Sequence, residues 1–596
     1  MNIQAVILIF SSALLLTACS DDISQQENLY DVEFSAPDYL VEHAKYLKEE
    51  LFQIGDYSVW DYNTPNKGFG NVIMIEGDDG IIIVDTTAAN DHAKVALDAF
   101  REITDKPVKA IIYTHHHADH INGAGVFATR QQAENGDVKI IAGQQFMREL
   151  ADENQATAPI MGVRAMYMYG QLLDPKTDGR DYHISCCGYQ LQSGGSSYIT
   201  PNTFVNDGQE MTIAGVNIQF MQTGGESASH IAVYLPEQKI LFTGDEIQGP
   251  NYPNLHSLRG TKPRDAEKWL NALDKMRTLE IDYLVPSHGQ PVFGSEQSQR
   301  VLTLYRDVIQ YTHDQSIRYI NKGYTQDELA NTIKLPSYLD VDPWTKEMYG
   351  TVKHNVRAYY TSYISWWNGD PAELDPIPRV EKATRYIALM GGRDVVFSAA
   401  EKSFSDKDYQ WASELTALLV RVDKQDIPAR QLKAAALRAI GYATANTNWR
   451  GFYLTSALEL EGKVDPGKVL ARLRKVAFTP DEMTTAQLFN TQRFYVDAEA
   501  IKDKHLKIGF SFTDTGEQFT LEIRNSILDI HTELLADNDA TLTLSRDTLN
   551  KTFTKETSYA DAIAEGLINI DGSKLALLSY AKAFDMEAAT PYLSLQ

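Results

Sequence analysis

The stretch Ile111-Ile112-Tyr113-Thr114-His115-His116-His117-Ala118-Asp119-His120 decides how this chain is read. The apolar, β-branched run over 108–113 predicts a buried strand. Directly after it, Thr114 to His120 offer four histidines and an aspartate, in a chain with 14 histidines among 596 residues. So tight a group behind a buried strand argues against a chance, solvated cluster. Neutral imidazole and carboxylate are the donors that hold borderline divalent ions such as zinc. His115 and His117, two positions apart, point the same way toward one ion, and Asp119 and His120 reach a second. His116 is expected to point away.

Two ions that share a water need about six or seven protein ligands, so other strand ends must supply the rest. Three candidates follow predicted strands next to glycine: Glu226 after 216–221, Glu246 after 240–243 and His288 after 281–285. Alone, each glutamate reads as a solvated loop acid. Beside the histidine cluster, each reads as a ligand. His230, four residues after Glu226, is a candidate to support the ligands or simply a structural histidine.

The surrounding sequence predicts how these strand ends are brought together. Residues 71–76 and 81–85 form a predicted hairpin across Gly77-Asp78-Asp79-Gly80. Helices are expected over 40–51, 92–103 and 264–278, and 59–66 reads as irregular. Such alternation predicts sheets flanked by helices. A long insertion covers 164–206, and its Tyr- and Met-rich start, 161–173, could line an apolar trough. From about 296 the pattern turns helical, with predicted helices over 297–321, 325–333 and 343–367. A Pro-rich joint at 370–378 leads to five more helices, ending near 461. After Asp465, strands over 506–513 and 518–524 flank Asp514-Thr515-Gly516, strands at 527–531 and 540–544 follow, and helical segments close the chain. The division expected is 1–28 (signal segment and tether), 29–325 (catalytic α/β domain), 326–465 (helical domain) and 466–596 (small α+β domain).

The net charge of −25 argues against nucleic acid or an anionic membrane face as a partner. An anionic substrate would need local cations. The apolar run over 5–16 is short for a bilayer span and reads as an export signal. Leu16-Thr17-Ala18-Cys19 resembles a bacterial lipobox, although no Lys or Arg precedes the run. The expectation is an exported, periplasmic protein anchored to the membrane through a lipid on Cys19. The other two of the three cysteines, Cys186 and Cys187, are adjacent and supply no spaced metal motif; they read as packing or loop residues.

His115-x-His117-x-Asp119-His120, with Gly244-Asp245 and Ser287-His288-Gly289, resembles the metallo-β-lactamase superfamily over about 57–294. Glu226 stands where that superfamily usually offers a histidine, and Glu246 follows the usual Gly-Asp. Together with Asn254-Leu255-His256-Ser257-Leu258-Arg259-Gly260 and Arg264-Asp265, these departures are similar to one branch, the alkylsulfatases that cleave alkyl sulfate esters such as dodecyl sulfate. The likeness continues through Tyr349 to Asn355, Tyr386 to Arg393 and Asn448 to Leu454, which resemble the branch's helical dimerisation region. Phe512 to Glu517 and Ala540 to Leu544 resemble its sterol-carrier-like C-terminal α+β domain. The resemblance implies a multidomain α/β protein with an αββα catalytic domain, two zinc ions per chain and a homodimer. It implies that His115, His117 and Glu226 hold one zinc, that Asp119, His120 and His288 hold the other, and that Glu246 bridges, with Asp245 as its rival.

The chemistry is coherent on its own terms. Two cations about 3.5–4 Å apart orient a sulfate monoester and lower the pKa of a shared water to about 7. Arg259 and Arg264 offer planar forks for sulfate oxygens, and Asn254 offers a neutral donor. His354, on a predicted helix, is a candidate substrate contact or proton donor. The rival functions are another hydrolase on this scaffold, acting on a β-lactam or thioester, and a lipid-binding lipoprotein that performs no catalysis.

Overall fold

The structure is a computed structural model, and it describes residues 29–63, 69–154, 157–174, 195–470, 480, 483–554, 556–585 and 592–595. Cys19 with the signal segment and tether, and the Cys186-Cys187 pair, lie outside the described residues.

Two sheets face each other. The first has seven strands in the order β1 (Glu50–Gln53), β2 (Val59–Asn63), β3 (Val72–Glu76), β4 (Ile81–Val84), β5 (Val108–Ile112), β6 (Lys139–Gly143) and β7 (Thr203–Val205). The second has six: β13 (Val292–Phe293), β12 (Tyr283–Pro286), β11 (Ile240–Gly244), β10 (Ile231–Leu235), β9 (Val216–Gln222) and β8 (Glu210–Ile213). Every residue of β4, β10 and β11 is buried, as sheets covered on both faces require. Side chains alternate between faces along a strand, so Ile82, Val84 and Ile112 meet Phe220, Val233 and Phe242 between the sheets. The opposite faces carry helices: Asn90–Arg101 packs through Phe100 on the first sheet, and Ala266–Arg277 packs through Trp269 on the second. These four layers form the expected αββα domain.

Chain direction puts the chemistry on one edge. β4, β5, β6 and β7 run parallel, as do β11 and β12. The C-terminal ends of β4, β5, β9, β11 and β12 lead into Asp85, the histidine cluster, Glu226, Asp245 and His288, respectively. Backbone bonds lock the two sheets there, Ile231 N to Thr114 O at 2.8 Å and Asn71 N to Ser287 O at 2.8 Å.

Five helices follow from Arg379 to Leu460. Asp408, Asp426 and Asn446 cap the last three with side-chain oxygens. Residues 592–595 return to this region, where Glu459 accepts hydrogen bonds from the backbone of Leu593 and Ser594. The described residues between 467 and 585 form a separate compact unit. Its sheet has five strands, ordered β16 (Ile527–His531), β15 (Gln518–Arg524), β14 (Leu506–Phe512), β17 (Ala540–Leu544) and β18 (Ile568–Gly572). Phe489 packs its ring against Phe510 and Phe519 in that core.

Local expectations fail in four places. The helix predicted over 40–51 stops at His43, and Leu51 instead pairs with Tyr62 across β1 and β2. Residues 59–63, read as irregular, are a strand whose burial alternates. The helix predicted over 343–367 spans Val352–Tyr363, with Thr351 as its cap. Gly350 explains the late start, because a Cβ there would lie 2.0 Å from Pro253 O, an approach that fixes the backbone by tertiary packing. Within the closing segment read as helical, residues 568–572 pair with β17 as an edge strand.

Candidate metal centre

Two groups of donors, all buried but the half-buried Asp119, face each other across Asp245. In the first, His115 Nε2 and His117 Nδ1 stand 2.8 Å apart. Glu226 joins them, with Oε2 3.6 Å from His115 Nε2 and Oε1 3.5 Å from His117 Nδ1. In the second, Asp119 Oδ2 lies 3.4 Å from His120 Nε2 and 3.6 Å from His288 Nε2. Asp245 spans them: Oδ2 lies 3.9 Å from His115 Nε2, and Oδ1 lies 3.6 Å from His120 Nε2 and 3.2 Å from His288 Nε2. Six of the seven expected ligands are thus gathered, in the expected groups.

Glu246 is the exception. Its Oε1 accepts from Gly225 N at 2.9 Å, so the carboxylate braces the turn that carries Glu226. Asp245, the rival, takes the position between the groups. Asp245 N donates to His230 Nε2 at 2.9 Å, and His230 Nδ1 meets Thr223 Oγ1 at 2.9 Å, so His230 supports Asp245 from behind.

Outer partners aim the ring nitrogens. Asp85 Oδ2 accepts from His120 Nδ1 at 2.7 Å, and Phe69 O accepts from His288 Nδ1 at 2.9 Å. Each bond leaves Nε2 as a lone-pair donor facing the group, the arrangement metal-ligating histidines use. His117 faces inward by Nδ1, while its Nε2 lies 3.4 Å from Glu153 Oε2. The second carboxylate oxygen of Glu153 accepts from Lys262 N at 2.9 Å. His116 is fully buried, with Nδ1 2.9 Å from Ser229 Oγ and Nε2 3.3 Å from Glu153. It is turned from both groups, as expected.

The electrostatics suit cations. Burial pushes the Glu226 carboxyl up to about 8, with nearby acids adding to the shift against the pull of Arg264. Burial drives His115 well below its ordinary range and holds His117 at about 3, so both rings are neutral donors. His120 Nε2, Glu226 Oε2 and Asp245 Oδ1 are buried without a hydrogen-bond partner among the described residues. Orphaned buried acceptors are costly, and one divalent ion in each group would satisfy them. Nitrogen and carboxylate donors in this number fit zinc.

The expected substrate contacts are arranged less uniformly. Arg264 donates through Nη2 to Glu226 Oε1 and through Nη1 to Asn254 O. These bonds tie Arg264 to Glu226 and to the Asn254 loop, while its Nε is buried without a hydrogen-bond partner among the described residues. Asn254 is fully buried, and its Oδ1 lies 3.1 Å from His354 Nε2. His354 accepts from Trp449 Nε1 at 3.1 Å and burial holds it at about 3, so the ring is neutral with a protein partner at each nitrogen. Arg259 makes no side-chain hydrogen bond or ion pair among the described residues. Burial works against its charge, but Tyr169, Tyr349, Glu153 and Asp119 around it more than restore it. Tyr198 stacks on Tyr113 within the core. In the segment expected to line a trough, Met161 and Met168 are buried.

The sequence reading missed Asp85 and Glu153. Asp85 follows β4 as the ligands follow their strands, so the same logic applied to that strand end would have found it. Glu153 sits on the helix Phe146–Asn154 and has no local signal.

Comparison with known proteins agrees over nearly the whole chain. The sequence pattern described as "Metallo-beta-lactamase superfamily" matches residues 65–288, "Alkyl sulfatase dimerisation" matches 325–463 and "Alkyl sulfatase C-terminal" matches 477–589. A linear primary-alkylsulfatase of a Pseudomonas sp. is 41% identical over 524 residues, 87% of this chain and 99% of that protein. An alkyl/aryl-sulfatase of Saccharomyces cerevisiae is 31% identical over 90% of this chain and 82% of its own length. The solved structure of a stereoselective inverting sec-alkylsulfatase from Pseudomonas sp. superposes with a TM-score of 0.86 at 28% identity, covering 94% of this chain and 88% of that one.

Proposed function

The chain belongs to the alkylsulfatases of the metallo-β-lactamase superfamily, and on that premise we propose that it hydrolyses linear primary alkyl sulfate esters to alcohol and inorganic sulfate with two zinc ions. The observation that carries this reading is the pair of donor groups joined by Asp245, with Arg259 beside them and, among the described residues, engaged by no other side chain in a hydrogen bond or ion pair. His115, His117 and Glu226 would hold one ion, and Asp119, His120 and His288 the other, with Asp245 as the shared ligand. When bound, the two ions supply the positive field that orients the ester and makes hydroxide available from water near neutral pH. The chain's own residues do the rest. Arg259 and Asn254 receive the sulfate oxygens, offsetting the repulsion of an acidic protein, and Arg264 keeps Glu226 and the Asn254 loop in register. Burial of all six ion-facing side chains other than Asp119 limits competing water.

Sulfate release from a panel of primary, secondary and aryl esters, with and without a chelator, tests this. The expected result is release from dodecyl sulfate that a chelator abolishes and zinc restores. Hydrolysis of a β-lactam with dodecyl sulfate untouched would overturn it.

The proposal includes a homodimer and an exported, lipid-anchored protein. Leu389, Val395 and Tyr386 in the helical region are large apolar side chains left 84%, 54% and 46% exposed, which supports burial against a second copy. Mass measurement in solution checks the first. Cell fractionation of Cys19→Ser, expected to move the protein from membrane to soluble periplasm, checks the second.

A further inference from the structure

The loop that carries Asn254 has a second wall, and it comes from the helix Thr447–Leu460, about 200 residues further along the chain. Asn446 caps this helix by accepting from Trp449 N at 3.0 Å. Its Nδ2 then donates to Tyr349 O at 2.9 Å and Gly350 O at 3.1 Å. Asn448 Nδ2 also donates to Tyr349 O, at 2.9 Å. The turn at 349–350 is thereby clamped, and Gly350 presses on Pro253, the residue before Asn254.

Trp449 acts through His354. An indole N–H can only donate, so His354 Nδ1, 3.1 Å away, must present its lone pair. The neutral ring therefore carries its proton on Nε2. That proton faces Asn254 at 3.1 Å, and the amide must answer with its oxygen. The orientation of Asn254, which heavy-atom positions alone do not decide, thus follows from the donor on Trp449. Asn254 Nδ2 points the other way, buried, without a well-formed hydrogen bond among the described residues and with the Tyr349 hydroxyl as the polar group it faces.

We propose that the first turn of this helix positions the sulfate-binding recess, Trp449 fixing Asn254 through His354 so that the amide NH₂ faces the ester oxygens. The proposal rests on the reading that Asn254 and Arg259 receive the sulfate group. It gives a region known by its role in dimerisation a second role in substrate affinity. Trp449 touches no substrate and is a positioning residue. Without its N–H, His354 is free to take the other tautomer, and Asn254 can then turn a carbonyl oxygen toward an anion.

The test is a double-variant cycle on the zinc-loaded full chain, reading KM and kcat for dodecyl sulfate and the Kd of inorganic sulfate. Trp449→Phe is expected to raise KM and Kd about tenfold, as loss of the Asn254 hydrogen bond to the charged sulfate does, with kcat within about threefold and zinc content and oligomer mass unchanged. In an Asn254→Ala background the same change is expected to move Kd less than about twofold, because coupled residues are not additive. Equal losses in both backgrounds would make Trp449 a packing residue and overturn the proposal, as would an unaltered Kd in Trp449→Phe. If Asn254→Ala itself leaves Kd unchanged, the assignment of the sulfate recess fails, and with it this proposal. Should Trp449→Phe not fold, His354 decides. A glutamine offers an acceptor and a donor at nearly the imidazole spacing, so His354→Gln should hold Kd within about threefold while His354→Leu raises it about tenfold; equal values in the two would overturn the idea.

Discussion

Asp85 accepts from His120 Nδ1 at 2.7 Å, and the same carboxylate holds Thr114 N at 2.8 Å, Thr114 Oγ1 at 2.8 Å and Ser287 Oγ at 3.0 Å. One buried side chain thus joins β4 to the histidine cluster after β5 and to the His288 turn after β12. Its own backbone is left-handed, with φ 57°, a costly conformation for a residue with a Cβ. Asp85→Asn keeps the volume but removes the charge that orients His120. We expect about 10–100-fold weaker binding of one ion of the two, read by zinc titration of the chelated protein. Two ions bound as in the parent would show that Asp85 serves folding alone.

Glu153 makes a parallel prediction for the first group. Its Oε2 lies 3.3 Å from His116 Nε2 and 3.4 Å from His117 Nε2, while Oε1 is held by Lys262 N. The geometry turns His117 so that Nδ1 faces Glu226 and His115. Glu153→Ala is expected to weaken the other ion about 10–100-fold while the melting temperature of the chelated protein shifts by less than about 3 °C. A large loss of chelated-protein stability with normal ion affinity would assign Glu153 to packing.

What the sequence disclosed depended on how local each signal was. The cluster from His115 to His120 is contiguous, so strand propensity and ligand spacing coincide in ten residues. Glu226 and His288 were legible because each is a donor beside a glycine just after a strand. Choosing between Asp245 and Glu246 was not possible on that logic. The choice is made by Gly225 N–H, which captures Glu246 from another loop. Arg264 looked like a sulfate ligand because no local signal shows that Glu226 will take its guanidinium. Trp449 lies 95 positions from His354, a relationship that only the fold creates. The missed strands at 59–63 and 568–572 are sheet-pairing effects, since strand preference depends on the neighbours a segment finds.

Acid sensitivity has an identifiable source outside the metal centre. His43 is buried, donates to Pro250 O and is held at about 4 by burial, against its ordinary 6.5. Between those values the unfolded chain takes up a proton that the folded chain refuses. The stability is therefore fully present above about pH 6.5 and is lost as pH falls toward 4, at up to about 1.4 kcal/mol per pH unit. His43→Gln keeps a donor for Pro250 O without the titration. The urea midpoint of this variant should fall less than the parent's between pH 6.5 and 4; identical slopes would place the acid sensitivity elsewhere.

The sharpest separation concerns the two neighbours after β11. Asp245 offers one oxygen to each donor group, whereas Glu246 reaches back to Gly225 N. If Asp245 is the shared ligand, Asp245→Ala removes a contact from both ions at once. Both should then weaken together, and sulfate release from dodecyl sulfate should fall by at least about 10³-fold, the scale expected when a single preorganised electrostatic group is removed. Glu246→Gln leaves an oxygen able to accept from Gly225 N, so the Glu226 turn should survive, both ions should bind and activity should stay within about tenfold of the parent. The opposite ranking, with Glu246→Gln losing both ions and Asp245→Ala retaining them, would make Glu246 the bridge. That outcome would require Glu246 to give up the Gly225 N–H and turn inward on metal binding. A loss of both ions in both variants would instead mean that the two carboxylates share the bridge.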